Sequence, residues 1–250
     1  MRAASVSICD NVDICEVSQN SKMWNGSEDF LMRPDEHHLT TNRIRQVGHT
    51  EGQFTTLIYI PPSKDFSEVR NRHSDTIYRV LDSISGGHHP GPPASVWTII
   101  GDDEEHMSLS RTLFVKSHIK DSLLSQLRDS RIRDSDTCLY LRNTLRVYLN
   151  EERNTAFLGF PVDPTVSPYA LEMIRRIDTI LEIFGLPVFY DNPDPHISIA
   201  YTTDKETVNR LHKRSGEDVG CVELSDAELD RFRIDVGQIH IRIGNQIHLV

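Results

Sequence analysis

The sequence predicts an α+β protein of two pseudo-symmetric lobes, each an antiparallel sheet with helices, facing across a central cleft. Three observations carry this expectation. The tripeptide His-x-Ser occurs at His106-Met-Ser108 and again, ninety residues on, at His196-Ile-Ser198. Around each copy the apolar residues run in the same order of strand, helix, motif-bearing strand, helix and strand, and an internal duplication is the economical source of that order. A hydrophobic fraction of 38% over 250 residues supplies a core for both lobes without disulfide staples.

Residues 1–42 mix Ser, Asn, Asp and Glu without a sustained period and read as a poorly ordered N-terminal arm. The folded domain is expected over 43–250, as lobes of roughly 43–150 and 151–250 with room for exchanged strands. Phe54 to Ile60 is β-branched and aromatic between Gly52 and Pro61-Pro62, which predicts a strand. Phe66, Val69, His73, Ile77, Val80, Leu81 and Ile84 recur at helical spacing, and Gly86-Gly87 stops that helix. Strands follow at Ser95 to Ile100 and Glu105 to Ser110. Ile119, Leu123, Leu127 and Ile132 predict the next helix, and Leu145 to Leu149 a strand closing the first half.

The second half opens with a strand from Thr155 to Phe160. Ser167 is the expected N-cap, ahead of a first-turn Pro168, for a helix carried by Leu171, Ile174, Ile177, Leu181 and Phe184 and ended at Gly185. His196 to Tyr201 alternates as a strand. Thr203 with Glu206 has the spacing of a capping box for a short helix. The isoleucines from Ile234 to Ile243, then Gly244-Asn245 and Ile247 to Leu249, predict a terminal hairpin.

Composition narrows the function. Thirty-seven acidic residues against 27 basic ones give a net charge of −10, which argues against gripping nucleic acid through bulk electrostatics. The N-terminal residues show no secretory signal, and the longest apolar stretches fall far below the ~18 residues of a membrane span. Four cysteines without a C-x-x-C pair favour a reducing compartment over a disulfide scaffold or zinc cage. No metal site is expected of the paired histidines at His37-His38 and His88-His89, since adjacent residues share neither a helix face nor a strand face.

Alternate residues of a strand share a face. His106, Ser108 and Ser110 are therefore expected on one side with Met107 and Leu109 opposite, and His196, Ser198 and Ala200 on one side with Ile197, Ile199 and Tyr201 opposite. Two such strands related by a pseudo-two-fold axis would aim two imidazoles at one point. One accepts a proton and the other donates it, both near neutral pH. The paired hydroxyls can bind phosphoryl oxygens on which charge builds in the transition state.

At these residues the chain resembles the two-histidine (2H) phosphoesterases, and within them the U6 small nuclear RNA phosphodiesterases of the Usb1 type. The likeness runs from about Arg43 to Val250. It includes His49-Thr-Glu-Gly52, Glu105-His-Met-Ser-Leu-Ser-Arg-Thr112, Phe189-Tyr-Asp-Asn-Pro193 before His196, and Gly244-Asn245. It implies a nuclear, cofactor-free and metal-independent enzyme that trims the single-stranded, uridine-rich 3′ end of U6 RNA and leaves a 2′,3′-cyclic phosphate or, after opening, a monophosphate. His106 and His196 would be the acid–base pair, Ser108 and Ser198 the holders of the scissile phosphate, and Tyr190 the aromatic stacked on the terminal base. As a family-level assignment His196 is the base and His106 the acid, because pseudo-symmetry leaves the sequence blind to the choice. Two other readings stay open: a cyclic phosphodiesterase or ligase-like enzyme acting on tRNA fragments or cyclic nucleotides, and a non-catalytic RNA-binding module. Between Arg111 and Arg153 nine cations face six anions, and Arg111 is the expected neighbour of a substrate phosphate.

Overall fold

Strand β1 (Gln53–Ile60) sends Ile58 and Ile60 into the core and Tyr59 to the other face, the period-two burial of a half-covered sheet. In the computed structural model the described residues are 52–86, 96–132 and 137–250. The expected arm at 1–42, Gly87, His88-His89 and Ser95 lie outside them.

After β1 come α1 (Lys64–Arg72) and α2 (Ser74–Ser85). The single helix expected here is broken at His73, whose backbone leaves helical geometry (φ −103°, ψ 16°) while its N–H donates back to the Arg70 and Asn71 carbonyls. The His73 ring meets Glu228 at 3.2 Å, so a tertiary partner fixes the break. Gly86 ends α2 in the left-handed region (φ 86°), as its residue type predicts.

The next strands are short. They are β2 (Thr98–Ile99), β3 (Met107–Ser108) and β4 (Leu113–Lys116). β3 stops early because the N–H groups of Leu109 and Ser110 both donate to the Ile58 carbonyl. Ser110 is thereby turned inward, where its hydroxyl accepts from the Ile58 N–H at 3.0 Å, and it does not share a face with His106 and Ser108 as expected.

Helix α3 (Lys120–Asp129) leaves Ile119 and Ile132 just outside it, although Ile132 is still buried. Then come β5 (Cys138–Tyr140), β6 (Thr144–Leu149), β7 (Ala156–Pro161), α4 (Tyr169–Ile183), β8 (His196–Thr202) and α5 (Lys205–Leu211). The chain ends with β9 (Asp218–Cys221), α6 (Asp226–Leu229), β10 (Arg233–Asp235), β11 (His240–Ile243) and β12 (Gln246–Leu249). Two caps differ from expectation. Ser167 does not cap α4; its buried oxygen accepts from the Tyr140 N–H at 2.7 Å, tying α4 to β5. Asp204, not Thr203, caps α5 by accepting from the Thr207 N–H at 2.9 Å. A capping box does exist, at Ser225 and Glu228 of α6.

All strand pairings are antiparallel. Ten strands form one sheet in the order β12-β11-β1-β3-β8-β7-β6-β9, with β4 also on β1 and β2 on β8, while β5 and β10 pair separately. Each half has lent strands to the other. The terminal hairpin β11–β12 lies along β1, and β2 from the first half lies along β8. Under the sheet, Phe66 of α1 packs on Phe232 at 5.1 Å and Phe232 on Phe160 of β7 at 4.9 Å, an aromatic trio that pins the halves together.

Candidate active site

The two halves of the sheet meet where Met107 of β3 faces Ile197 of β8. Both side chains are fully buried. Antiparallel register then puts His106 opposite Ser198 and Ser108 opposite His196, with all four side chains on the face away from the core. Directly opposed positions on such a ladder lie ~4.5–5.5 Å apart between Cβ atoms, and diagonal ones ~7–8 Å. The two histidines are the diagonal pair. That gap suits a phosphoryl group with an imidazole on each side and a hydroxyl beside each imidazole.

Both rings are held in the same way. The Nδ1–H of His106 donates to the Glu104 carbonyl at 2.7 Å, and the Nδ1–H of His196 donates to the Asp194 carbonyl at 2.7 Å. A carbonyl only accepts, so each Nδ1 carries a hydrogen and Nε2 is the basic nitrogen of the neutral ring. Each carbonyl sits in a segment tied down by an arginine from elsewhere. Arg146 of β6 binds Asp194 at 3.0 Å and Asp218 at 2.7 Å. Arg70 of α1 binds Asp102 at 2.5 Å and Glu105 at 2.8 Å.

The surroundings break the symmetry. His196 lies flat against Tyr148, centroids 3.5 Å apart and planes 11° from parallel. Burial holds its pKa below the ordinary 6.5, against the raising effect of the Asp194 carbonyl. His106 instead meets the edge of Tyr59, centroids 5.2 Å apart. Beside it the Glu105 carboxyl is wholly enclosed, and burial pushes its pKa up to about 7 although Arg70 pulls the other way.

Gly159 of β7 faces Ser198, at a register shift in the β7–β8 ladder. A Cβ on Gly159 would come within 2.5 Å of the Ile197 carbonyl oxygen, which is backbone and cannot swing aside. Gly159→Ala is therefore expected to lower stability by ~1–3 kcal/mol, as overpacking does, and to lower turnover by moving Ser198. Thermal unfolding and single-turnover rates check both.

Tyr190 is 46% exposed on the loop entering β8. Phe189 packs edge-on to it at 5.2 Å, and the Phe189 N–H donates to Asp178 of α4 at 2.8 Å, which anchors the loop. Arg111 is not on β3 but beyond it. Its guanidinium lies 4.8 Å from the Tyr190 ring centroid and pairs with Glu151, so it spans the two halves beneath the exposed aromatic. The structure thus groups His106, Ser108, His196 and Ser198 at the seam, and Tyr190 with Arg111 at the loop preceding β8. Four other cations of the Arg111–Arg153 segment are engaged with protein groups: Lys120 with Gln246, Arg128 with the Leu249 carbonyl, Arg142 with Asp163, and Arg146 with Asp194 and Asp218.

Sequence reasoning missed Tyr59, Tyr148, Glu105, Arg70 and Arg146. Tyr59 and Tyr148 did leave a signal: each is an aromatic on the polar side of an alternating strand, where a core residue is not required. Among the described residues no group of three or more His, Cys, Asp or Glu could hold a metal ion, and no helix is long and apolar enough to cross a membrane.

A conserved family described as HVSL, an uncharacterised conserved protein, matches residues 25–250, which include both motif strands. The chain belongs to the HVSL family. Relatives of known name agree with the resemblance seen in the motifs. U6 snRNA phosphodiesterase 1 of Dictyostelium discoideum is 24% identical over 190 residues, covering 74% of this chain and 62% of the relative. The chain thus spans less than two thirds of that relative's length. U6 snRNA phosphodiesterase 1 of Danio rerio is 25% identical over 229 residues, covering 90% of this chain and 76% of the relative. The structure of Kluyveromyces marxianus Usb1 aligns at a TM-score of 0.48 and 10% identity, over 79% of this chain and 97% of that one.

Proposed function

We propose that this HVSL-family chain is a phosphodiesterase that shortens the single-stranded 3′ end of U6 snRNA, one nucleotide at a time, by transesterification between its two histidines. The matched Nδ1–carbonyl bonds carry the reading: they present two proton-exchanging nitrogens across a diagonal flanked by two hydroxyls. Relatives named U6 snRNA phosphodiesterase 1 support the substrate. The same reading assigns the protein to the nucleus.

In this scheme His196, kept neutral by burial under Tyr148, takes the proton of the penultimate 2′-hydroxyl. The 2′-oxygen attacks the adjacent phosphorus, and the bond from phosphorus to the 5′-oxygen of the terminal nucleoside breaks. His106 returns a proton to that oxygen. Ser108 and Ser198 bind the non-bridging oxygens as charge builds. The shortened RNA ends in a 2′,3′-cyclic phosphate, and the histidines are left with exchanged protonation states, suited to opening the cycle with water in the reverse roles. No step calls for a metal, so activity is expected to survive EDTA.

Mass spectrometry of a uridine-tailed RNA after incubation tests the reading. The expected 3′ end is a cyclic phosphate or its opened monophosphate; release of 5′-monophosphates with plain 3′-hydroxyl ends would overturn it. Tyr190 is the stacking platform for the terminal base, with Arg111 bracing its ring. Stacking is worth ~1–3 kcal/mol per base, so Tyr190→Ala is expected to raise KM by about 5- to 150-fold and to change kcat much less. Steady-state kinetics on a short oligouridine separates the two constants.

A further inference from the structure

Beyond the catalytic quartet, the same sheet face continues outward across the first half. Cross-strand register runs from Ser108 to Tyr59 to His240 to Leu249, with Leu57, Arg242 and Ile247 forming the adjacent row. The Tyr59 ring touches the edge of His106 on one side and of His240 on the other, at 5.2 and 5.4 Å. The Arg242 guanidinium lies 6.0 Å from the centroid of that ring. Further out, Ile247 and Leu249 of β12 are 55% and 46% exposed. The surface thus alternates aromatic, cationic and apolar groups, and it begins at a catalytic histidine.

The other half differs. Two strands out from β8 stands Arg146, and it is neutralised by Asp194 and Asp218. Two strands out from β3 stands Arg242, exposed, and among the described residues no carboxylate lies within ion-pair distance of it. A single-stranded nucleic acid needs a cation for its backbone and flat or apolar surfaces for its bases. Among the described residues, the first half offers an unpaired cation and aromatic and apolar groups on one run of cross-strand neighbours beside the quartet.

We propose that Arg242, with Tyr59, His240, Ile247 and Leu249, forms a subsite for the nucleotides upstream of the scissile bond, Arg242 binding one upstream phosphate. The proposal rests on the RNA-cleaving reading above. It gives the enzyme a means of preferring a chain over a dinucleotide, since a dinucleotide carries no phosphate upstream of the scissile one for Arg242 to bind.

The test compares a uridine dinucleotide with a hexanucleotide, as kcat/KM across a series of salt concentrations, for the wild type, Arg242→Ala and Arg242→Lys. Arg79→Ala, on the exposed side of α2, controls for loss of a positive charge. The wild type is expected to favour the hexanucleotide. Arg242→Ala should shrink that preference about tenfold and reduce the steepness of the log–log salt dependence on the hexanucleotide by about 0.7, the share of one phosphate on a single strand. Arg242→Lys should keep the salt slope, and Arg79→Ala both slope and preference. An active wild type whose length preference and salt slope are unchanged by Arg242→Ala overturns the subsite and leaves the nuclease reading standing. A wild type that cleaves neither RNA overturns both.

Discussion

Alanine in place of His106 or of His196 is expected to lower kcat by about 10²- to 10⁴-fold, the usual contribution of a general acid or base. Because the two act in one step, the double variant should be little worse than either single one. Single-turnover cleavage of a uridine-tailed RNA measures this; near-normal turnover of His106→Ala would sink the scheme. The pH dependence separates the roles. A base works only when deprotonated, so activity is lost as pH falls through the His196 pKa. Burial lowers that pKa from 6.5, so the acid limb of kcat/KM should lie below pH 6.5. Tyr148→Leu removes the stacked ring and wets the imidazole, so the limb should move up toward 6.5. An acid limb that stays put in Tyr148→Leu would transfer the base role to His106.

The second large effect is expected at Arg70. Its side chain is 8% exposed and that of its partner Glu105 is fully enclosed, so Arg70→Met strands a carboxylate away from water. Breaking a buried pair from one side costs about 3–5 kcal/mol. The sign with pH follows from linkage. A carboxyl whose folded pKa is raised, here to about 7, binds its proton more tightly when folded. Its contribution to stability is present below the unfolded pKa of 4.5 and is lost as pH rises toward 7. Without Arg70 that pKa climbs further. Urea unfolding should therefore show a loss for Arg70→Met that is greater at pH 7.5 than at pH 5, where Glu105 is protonated, by about 1 kcal/mol. Activity should fall as well, because the Glu104 carbonyl that orients His106 adjoins the freed carboxylate. Equal losses at both pH values would show that Glu105 does not carry the effect.

The parts of the fold legible in the sequence were those with local causes. The alternation through β1 and β8, the stripe of α4 and the turn at Gly244-Asn245 each depend on neighbours a few residues away, and the structure has them where the pattern puts them. The misread places have distant causes. The break at His73 depends on Glu228, the missing cap at Ser167 depends on Tyr140, and the inward turn of Ser110 depends on the backbone of Ile58. No window of sequence contains both partners.

The candidate site divides along the same line. Two His-x-Ser tripeptides on alternating strands were enough to name the four groups and the chemistry they suit, because a strand's period of two decides which side chains share a face. The opening expectation of an α+β fold with antiparallel strands holds, and the matched motifs needed only the repeat to be seen. How the lobes meet was a tertiary matter. One antiparallel pair, Met107 against Ile197, sets each histidine across from the other motif's serine. The sequence was also blind to the difference between the two histidines, since equivalent positions in a repeat read alike. Packing supplies that difference: Tyr148 lies over one imidazole, while the other abuts Tyr59, and only contacts between residues far apart in the chain can bury one member of a symmetric pair more than the other.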